Sequence, residues 1–248
     1  MRHRIQYMIF IVILTILAGC EGDLFNDCLS GRGNATTERR GLYSFRNVAV
    51  YDNIRLTIEL SQEYSVTINS GHKLGPMITN LIHNNTLEIR NESPCSLLKD
   101  PWAPVDVLVK VPTLDSLLVM SQAGVSVNGV IVSENFYAEA TETSANITLN
   151  LNTRYFRLDF LKGTGDISIT GYSDTIFIYN VSAGKVDALN SQSQVMVVNT
   201  GSLNDVYVRA GEKLLDVNIQ NIGNVYYSHD PAEIIYYSTN TGKLLWLN

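Results

Sequence analysis

From residue 117 onward, apolar and polar positions alternate in short runs, and the runs recur. Seven rows begin at Leu117, Phe136, Phe156, Ile176, Val195, Leu215 and Ile235, with steps of 19 or 20 residues. They open on LLVMS, FYAEA, FRLDF, IFIYN, VMVVN, LDVNI and IYYST, whose first and third residues are nearly all apolar or aromatic. Period 2 with one apolar face predicts a half-buried strand. A turn follows, then a second strand marked by Val125/Val127, Ile147/Leu149, Ile167/Ile169, Val186/Ala188, Val206/Val208, Val225/Tyr227 and Leu244/Trp246. Before most pairs stands a small residue and one polar residue: Ala145-Asn146, Gly165-Asp166, Gly184-Lys185, Gly223-Asn224 and Gly242-Lys243. Gly124 abuts Val125 directly, and the fifth row has Asn204-Asp205.

A row this short cannot enclose a core, but stacked rows line one continuous interior. The pattern predicts an all-β parallel solenoid with about 20 residues per rung. At ~4.8 Å between stacked strands, seven rungs make a rod of about 30 Å. Glycine is expected at the corner for its tolerance of positive φ, with the polar residue after it facing solvent. An antiparallel β-sandwich also uses short strands, yet it explains neither the step nor the corner. The segment GTGDISITG, residues 163–171, looks like a phosphate loop. Such a loop opens a helix, whereas this one lies in the third of seven similar rows and opens a strand.

Residues 41–116 are β-rich but less regular. FRNVAV, NIRLTIEL, YSVTI and VDVLVKV alternate, and LIHNNTLEIR places a hairpin at Asn84-Asn85. A helical turn is expected around Pro76, and an excursion loop over residues 93–104, which hold three prolines. This part is expected to begin the solenoid and cover its open end, since an uncapped edge invites strand addition.

The chain begins MRHRIQYMIFIVILTILAGC. A basic start, a short apolar run and small residues before a cut site read as a secretory signal over residues 1–19. The run is shorter than the ~20 residues of a spanning helix. LAGC resembles the lipobox of bacterial lipoproteins, which implies acylation of Cys20 and attachment to a membrane. Residues 20–40 then read as a tether, 41–116 as the β-rich N-terminal part and 117–248 as regular rungs. Loss of 1–19 would leave 16 basic and 24 acidic residues. That balance, without a basic cluster, argues against nucleic acid as a partner. Cys28 and Cys95 are the remaining cysteines and read as one disulfide in an exported protein.

YSFRNVAVYDNIRLTIELSQEYSVTINSG, LIHNNTLEIR, VDVLVKVPTLDSL and rungs with GTGDI and NIGNVYY together resemble the putative auto-transporter adhesin, head GIN domain family. The resemblance spans roughly residues 42–230. It implies a single-stranded right-handed parallel β-helix, an exported lipoprotein of the Gram-negative envelope, and no catalytic residues. The outer membrane, facing the periplasm or the outside, is the implied location.

Chemistry is sparse. On the outward face of the first strands, Glu139 and Asp159 fall one rung apart beside Arg157, the one carboxylate pair worth naming. Paired carboxylates would suit a polysaccharide-acting enzyme; an exposed ion pair with no function is the alternative. The corner residues Asn146, Asp166, Lys185, Asp205, Asn224 and Lys243 lack the spacing and charge for calcium and read as solvated turns. His72, His83 and His229 are scattered, so neither a metal site nor a cofactor is expected. Tyr207 and Tyr226 fall one rung apart on the outward face of the second strands, with Tyr236, Tyr237 and Trp246 in the last row. They suit either a platform for sugar rings or a protein partner, or a cover for the end of the rod. The expected function is non-enzymatic: adhesion, carbohydrate contact or assembly with another envelope component.

Overall fold

A computed structural model describes residues 32–93 and 103–247. The lipobox, Cys20, Cys28, Cys95 and most of the loop 93–104 lie outside the described residues. The chain is a parallel β-solenoid.

Its regular body comprises β8 (Ser116–Ser121), β9 (Val125–Asn128), β10 (Ile131–Ala140), β11 (Ile147–Phe160), β12 (Ile167–Asn180), β13 (Val186–Thr200), β14 (Val206–Arg209), β15 (Leu214–Ile219), β16 (Val225–Ser228), β17 (Glu233–Ser238) and β18 (Leu244–Trp246). All pairings among these strands are parallel. One face of the rod stacks β8–β10–β11–β12–β13–β15–β17; the other stacks β9–β11–β12–β13–β14–β16–β18. The three longest strands serve both faces by bending at a buried hydroxyl column. There Thr153 Oγ1 donates to Ser173 Oγ at 2.9 Å, and Ser173 Oγ donates to the Thr175 carbonyl at 2.9 Å. Thr153 and Ser173 are thus satisfied, while the Ser193 hydroxyl, next in the column, is buried without a hydrogen-bond partner among the described residues.

Second-strand register follows the sequence pattern in every row: Val125, Ile147, Ile167, Val186, Val206, Val225 and Leu244 stack in order. First-strand register departs from it. Leu117 stacks on Ala138 rather than Phe136, Ile176 on Met196 rather than Val195, and Leu215 on Ile234 rather than Ile235. The second departure has a visible cause. Between Ser168 and Thr170 the ladder slips, because β13 carries one extra residue. The Ser191 hydroxyl donates to the Ala188 carbonyl at 2.7 Å and holds this bulge. Downstream of it Met196 and Val198 turn inward and are fully buried.

The glycine corners also differ in kind from expectation. Gly165 and Gly184 have no positive φ; they are held by close approach. A Cβ on Gly165 would lie 1.9 Å from the Ala145 carbonyl oxygen, and one on Gly184 2.1 Å from that of Gly165 and 2.4 Å from the Phe160 ring. The polar residue after the corner is a staple between rungs. Asn146 Oδ1 accepts from the Asp166 amide at 3.1 Å, Asp205 Oδ1 from the Asn224 amide at 2.8 Å, and Asn224 Oδ1 from the Lys243 amide at 3.0 Å.

The N-terminal part shares this core, in a different chain order. β2 (Asn47–Asp52) and β3 (Ile54–Leu60) make a rung that stacks directly under β8 and β9. Beneath it lie β6 (Thr86–Asn91) and β7 (Val105–Val111), also parallel. The remaining strands reverse direction. β4 (Ser65–Gly71) runs antiparallel to β7, and β1 (Ala35–Gly41) antiparallel to β4. β5 (Ile78–His83) pairs antiparallel with β6 across the Asn84-Asn85 turn, where both asparagines have positive φ, as a two-residue hairpin requires. A single 3-10 turn, Gly75–Met77, contains Pro76. Residues 35–40, assigned to the tether from sequence, therefore lie in β1, a strand of the cap.

Candidate functional site

On the outward face, Tyr137, Arg157 and Phe177 form one ladder, and Leu118, Glu139, Asp159 and Tyr179 the next. Glu139 and Asp159 are direct partners, one rung apart. Asp159 is not free to react. Its carboxylate accepts from Arg157 Nε at 2.9 and 3.1 Å and from the Tyr137 hydroxyl at 2.9 Å, and its side chain is only 11% exposed. The Arg157 guanidinium lies over the Phe177 ring at 4.7 Å. Tyr137 also stands 2.8 Å from Glu139 Oε2. Burial, then the two carboxylates, push the Tyr137 phenol far above its ordinary value. It therefore stays a hydrogen-bond donor at any physiological pH.

Beside this network lies a groove of about 350 Å³. The hairpin β5–β6 continues the sheet of β2, β8 and β10, with β6 paired to β2, and borders the groove through His83, Asn84, Thr86 and Glu88; Tyr137 and Glu139 line the other side, with Ala49 and Leu118 between. Ala49 is an outward residue at the centre of β2, yet only 2% exposed. Its small side chain makes the depression. The walls are held in place: Arg90 stacks on Tyr51 at 3.5 Å and pairs with Glu88 at 3.1 Å. The site thus presents an apolar floor, carboxylate acceptors and a half-buried phenol. Sequence reasoning singled out Glu139, named His83 only as one of three scattered histidines, and did not connect them with their neighbours. An alanine among larger residues in NVAVYD was the available signal.

Tyr207 and Tyr226 stack on one another with ring centroids 5.0 Å apart and 9° between planes. Lys185 Nζ sits 5.4 Å from the Tyr207 ring. Mutual stacking consumes the inner faces, so the ladder offers ring edges and hydroxyls more than the open faces a sugar ring stacks on. Tyr236 occupies the inward column, above Val217, and its hydroxyl donates to the Gly242 carbonyl at 3.3 Å. It does not join the Tyr207–Tyr226 ladder. His72 Nδ1 accepts from the Asn34 amide at 3.0 Å, and His229 meets Glu212 at 2.8 Å. Among the described residues no group of three His, Cys, Asp or Glu side chains could hold a metal ion, and no helix is long and apolar enough to cross a membrane.

Three solved structures share the fold. A putative adhesin from Bacteroides fragilis NCTC 9343 superposes with a TM-score of 0.75 at 13% identity, covering 86% of this chain and 97% of that one. A putative lipid binding protein from Parabacteroides distasonis ATCC 8503 gives 0.66 at 17%, with 88% and 98% covered. A putative adhesin from the same organism gives 0.62 at 17%, with the same coverage. No curated protein matches the chain. Residues 44–231 match the family described as putative auto-transporter adhesin, head GIN domain, and the chain belongs to that family.

Proposed function

We propose that the protein is a lipid-anchored envelope adhesin that holds a glycan segment in the groove between the β5–β6 hairpin and Glu139, without chemistry on it. One observation carries this reading. The groove combines an apolar floor at Ala49 and Leu118 with fixed acceptors at Glu88 and Glu139, which suits the mixed CH and hydroxyl surface of a sugar. The Asp159 carboxylate, which an acid–base pair would need free, is engaged by Arg157 and Tyr137. The family name and the solenoid agree with a contact role. Anchoring through Cys20 and an envelope location come from the lipobox, and a labelled fatty acid incorporated into wild type but not into Cys20→Ala tests them.

The full chain should bind members of a bacterial and host glycan panel. Ala49→Trp, which fills the groove from its floor, should abolish that binding while leaving the thermal midpoint within a few degrees. Unchanged binding in Ala49→Trp would remove the groove from consideration. Release of shortened products, lost in Glu139→Gln, would establish the enzymatic reading instead.

A further inference from the structure

Among the described residues, β17 pairs only with β15 and β18 only with β16, each on one side. Backbone groups alternate sides along a strand. The Glu233 and Thr239 amides donate back to Lys213 and Ile219, and the Leu247 amide to Tyr227. By that alternation the N–H and C=O groups of Ile234, Tyr236, Ser238, Leu244 and Trp246 point away from the rod. The same rung exposes its apolar side chains: Ile234 is 41% exposed, Tyr236 45% and Trp246 48%, although all three lie in the inward columns. An unpaired edge with an apolar layer behind it is a template for another strand.

We propose that this rung docks a second copy of the chain, tail to tail, through antiparallel pairing of β17 with the partner's β17. Two features select a copy of itself. First, the opposite end presents a different edge: β1 carries Glu38, Arg39 and Arg40, and Arg40 occupies the Ile78 carbonyl and the Asn80 side chain on β5, so the apolar β17 end finds its match in its own kind, in a two-fold, closed contact. Second, β17 is self-complementary. A register centred on Tyr236 faces each Tyr236 with its counterpart and places Ile234 against the partner's Ser238. Glu233, the only charge in β17 or β18, falls opposite the partner's Thr239, so no like charges meet. The two cores then become one, with Ile234, Tyr236, Leu244 and Trp246 covered from both sides.

Native mass spectrometry and sedimentation of the full chain in mild detergent test this. Wild type should run as a dimer. Tyr236→Pro removes an N–H that no strand of its own copy uses, and its ring blocks the edge; it should run as a monomer with an unshifted melting midpoint. Should Tyr236→Pro melt earlier, Ile234→Pro, on the same free edge, repeats the test. A monomeric wild type overturns the proposal, and so does a folded proline variant that remains dimeric.

Discussion

At the β1 end of the rod the terminal strands, β1 and β5, run antiparallel and β1 carries charge; at the β17 end they run parallel and carry isoleucine, tyrosine and tryptophan. β1 reads ATTERRG, and its Arg40 acts as a clasp. The Arg40 guanidinium donates to the Ile78 carbonyl at 2.7 Å and the Gly75 carbonyl at 3.2 Å, and pairs with Glu38 at 2.8 Å. It ties the second face, where β1 lies, to the first, where β5 lies. Charged edge strands refuse a new neighbour. β17 has no such device. One fold has thus closed one end by reversing strand direction and left the other with the geometry of the rod itself. Stacking needs no special residues to continue; stopping it does.

The contrast breaks most sharply under a buried charge. Ile68 in β4 is fully buried within the cap. Ile68→Asp should cost more than ~3 kcal/mol, as an unpaired carboxylate in a core does, and should lower the urea midpoint of the whole chain. Ile234→Asp, at a residue 41% exposed, should cost under ~1 kcal/mol in the monomer. Equal losses at both ends would show that the β17 end is covered in solution. Next in size is Arg40→Ala. It removes two bonds to backbone carbonyls and an ion pair, and should cost about 1–3 kcal/mol. Hydrogen exchange should rise in β1 and β5 while β15 and β17 keep their protection. Smaller again is Asn224→Ala, which removes the staple from the Asn224 side chain to the Lys243 amide near the open end. About 1 kcal/mol is expected, read as faster exchange confined to β16 and β18.

The body of the rod was legible because its apolar pairs alternate and its corners recur. Second-strand register followed directly. First-strand register failed by one residue where both parities are apolar, and by two at Leu117, where the shift to Ala138 keeps parity and alternation cannot detect it. In Val195-Met196-Val197-Val198 alternation offers no sign, and the extra residue at the β13 bulge, which decides the matter, lies upstream in a polar run. The cap was legible as strands but not as an arrangement. Alternation marks a face and says nothing of direction, so YSVTI reads the same whether β4 runs parallel or antiparallel. The insertion of the β2–β3 rung between β6–β7 and β8–β9 is likewise a long-range fact. The groove is harder still. Its lining comes from residues 48–51, 83–88, 116–118 and 137–139, and only stacking brings them together. The Glu139–Asp159 pairing was visible because it follows from the step between adjacent rows; the role of Tyr137, which joins those two carboxylates, was not.

Acid offers the finest probe of the capped half. Asp115 lies between β7 and β8, where Arg46, just before β2, forms a bidentate pair with it, and Ser133 in β10 donates to it at 3.2 Å. One carboxylate thus joins three successive levels of the stack. The Arg46 hydrogen bonds, opposed in part by burial, hold the Asp115 carboxyl below its ordinary value. A folded-state value below the unfolded one means stability that is present above the ordinary carboxylate range, near ~4, and lost as pH falls through the folded value. Both side chains are a third to a half exposed, so solvent screening holds the contribution under ~1 kcal/mol. Asp115→Asn should therefore flatten the decline in stability as pH falls below the ordinary carboxylate range, near ~4, and leave the slope above pH 6 unchanged. The loss should appear as exchange in β2 and β10, with β16 to β18 unaffected. An Asn variant as acid-sensitive as wild type would mean that other carboxylates, such as Glu38 beside Arg40, set the acid response of this end.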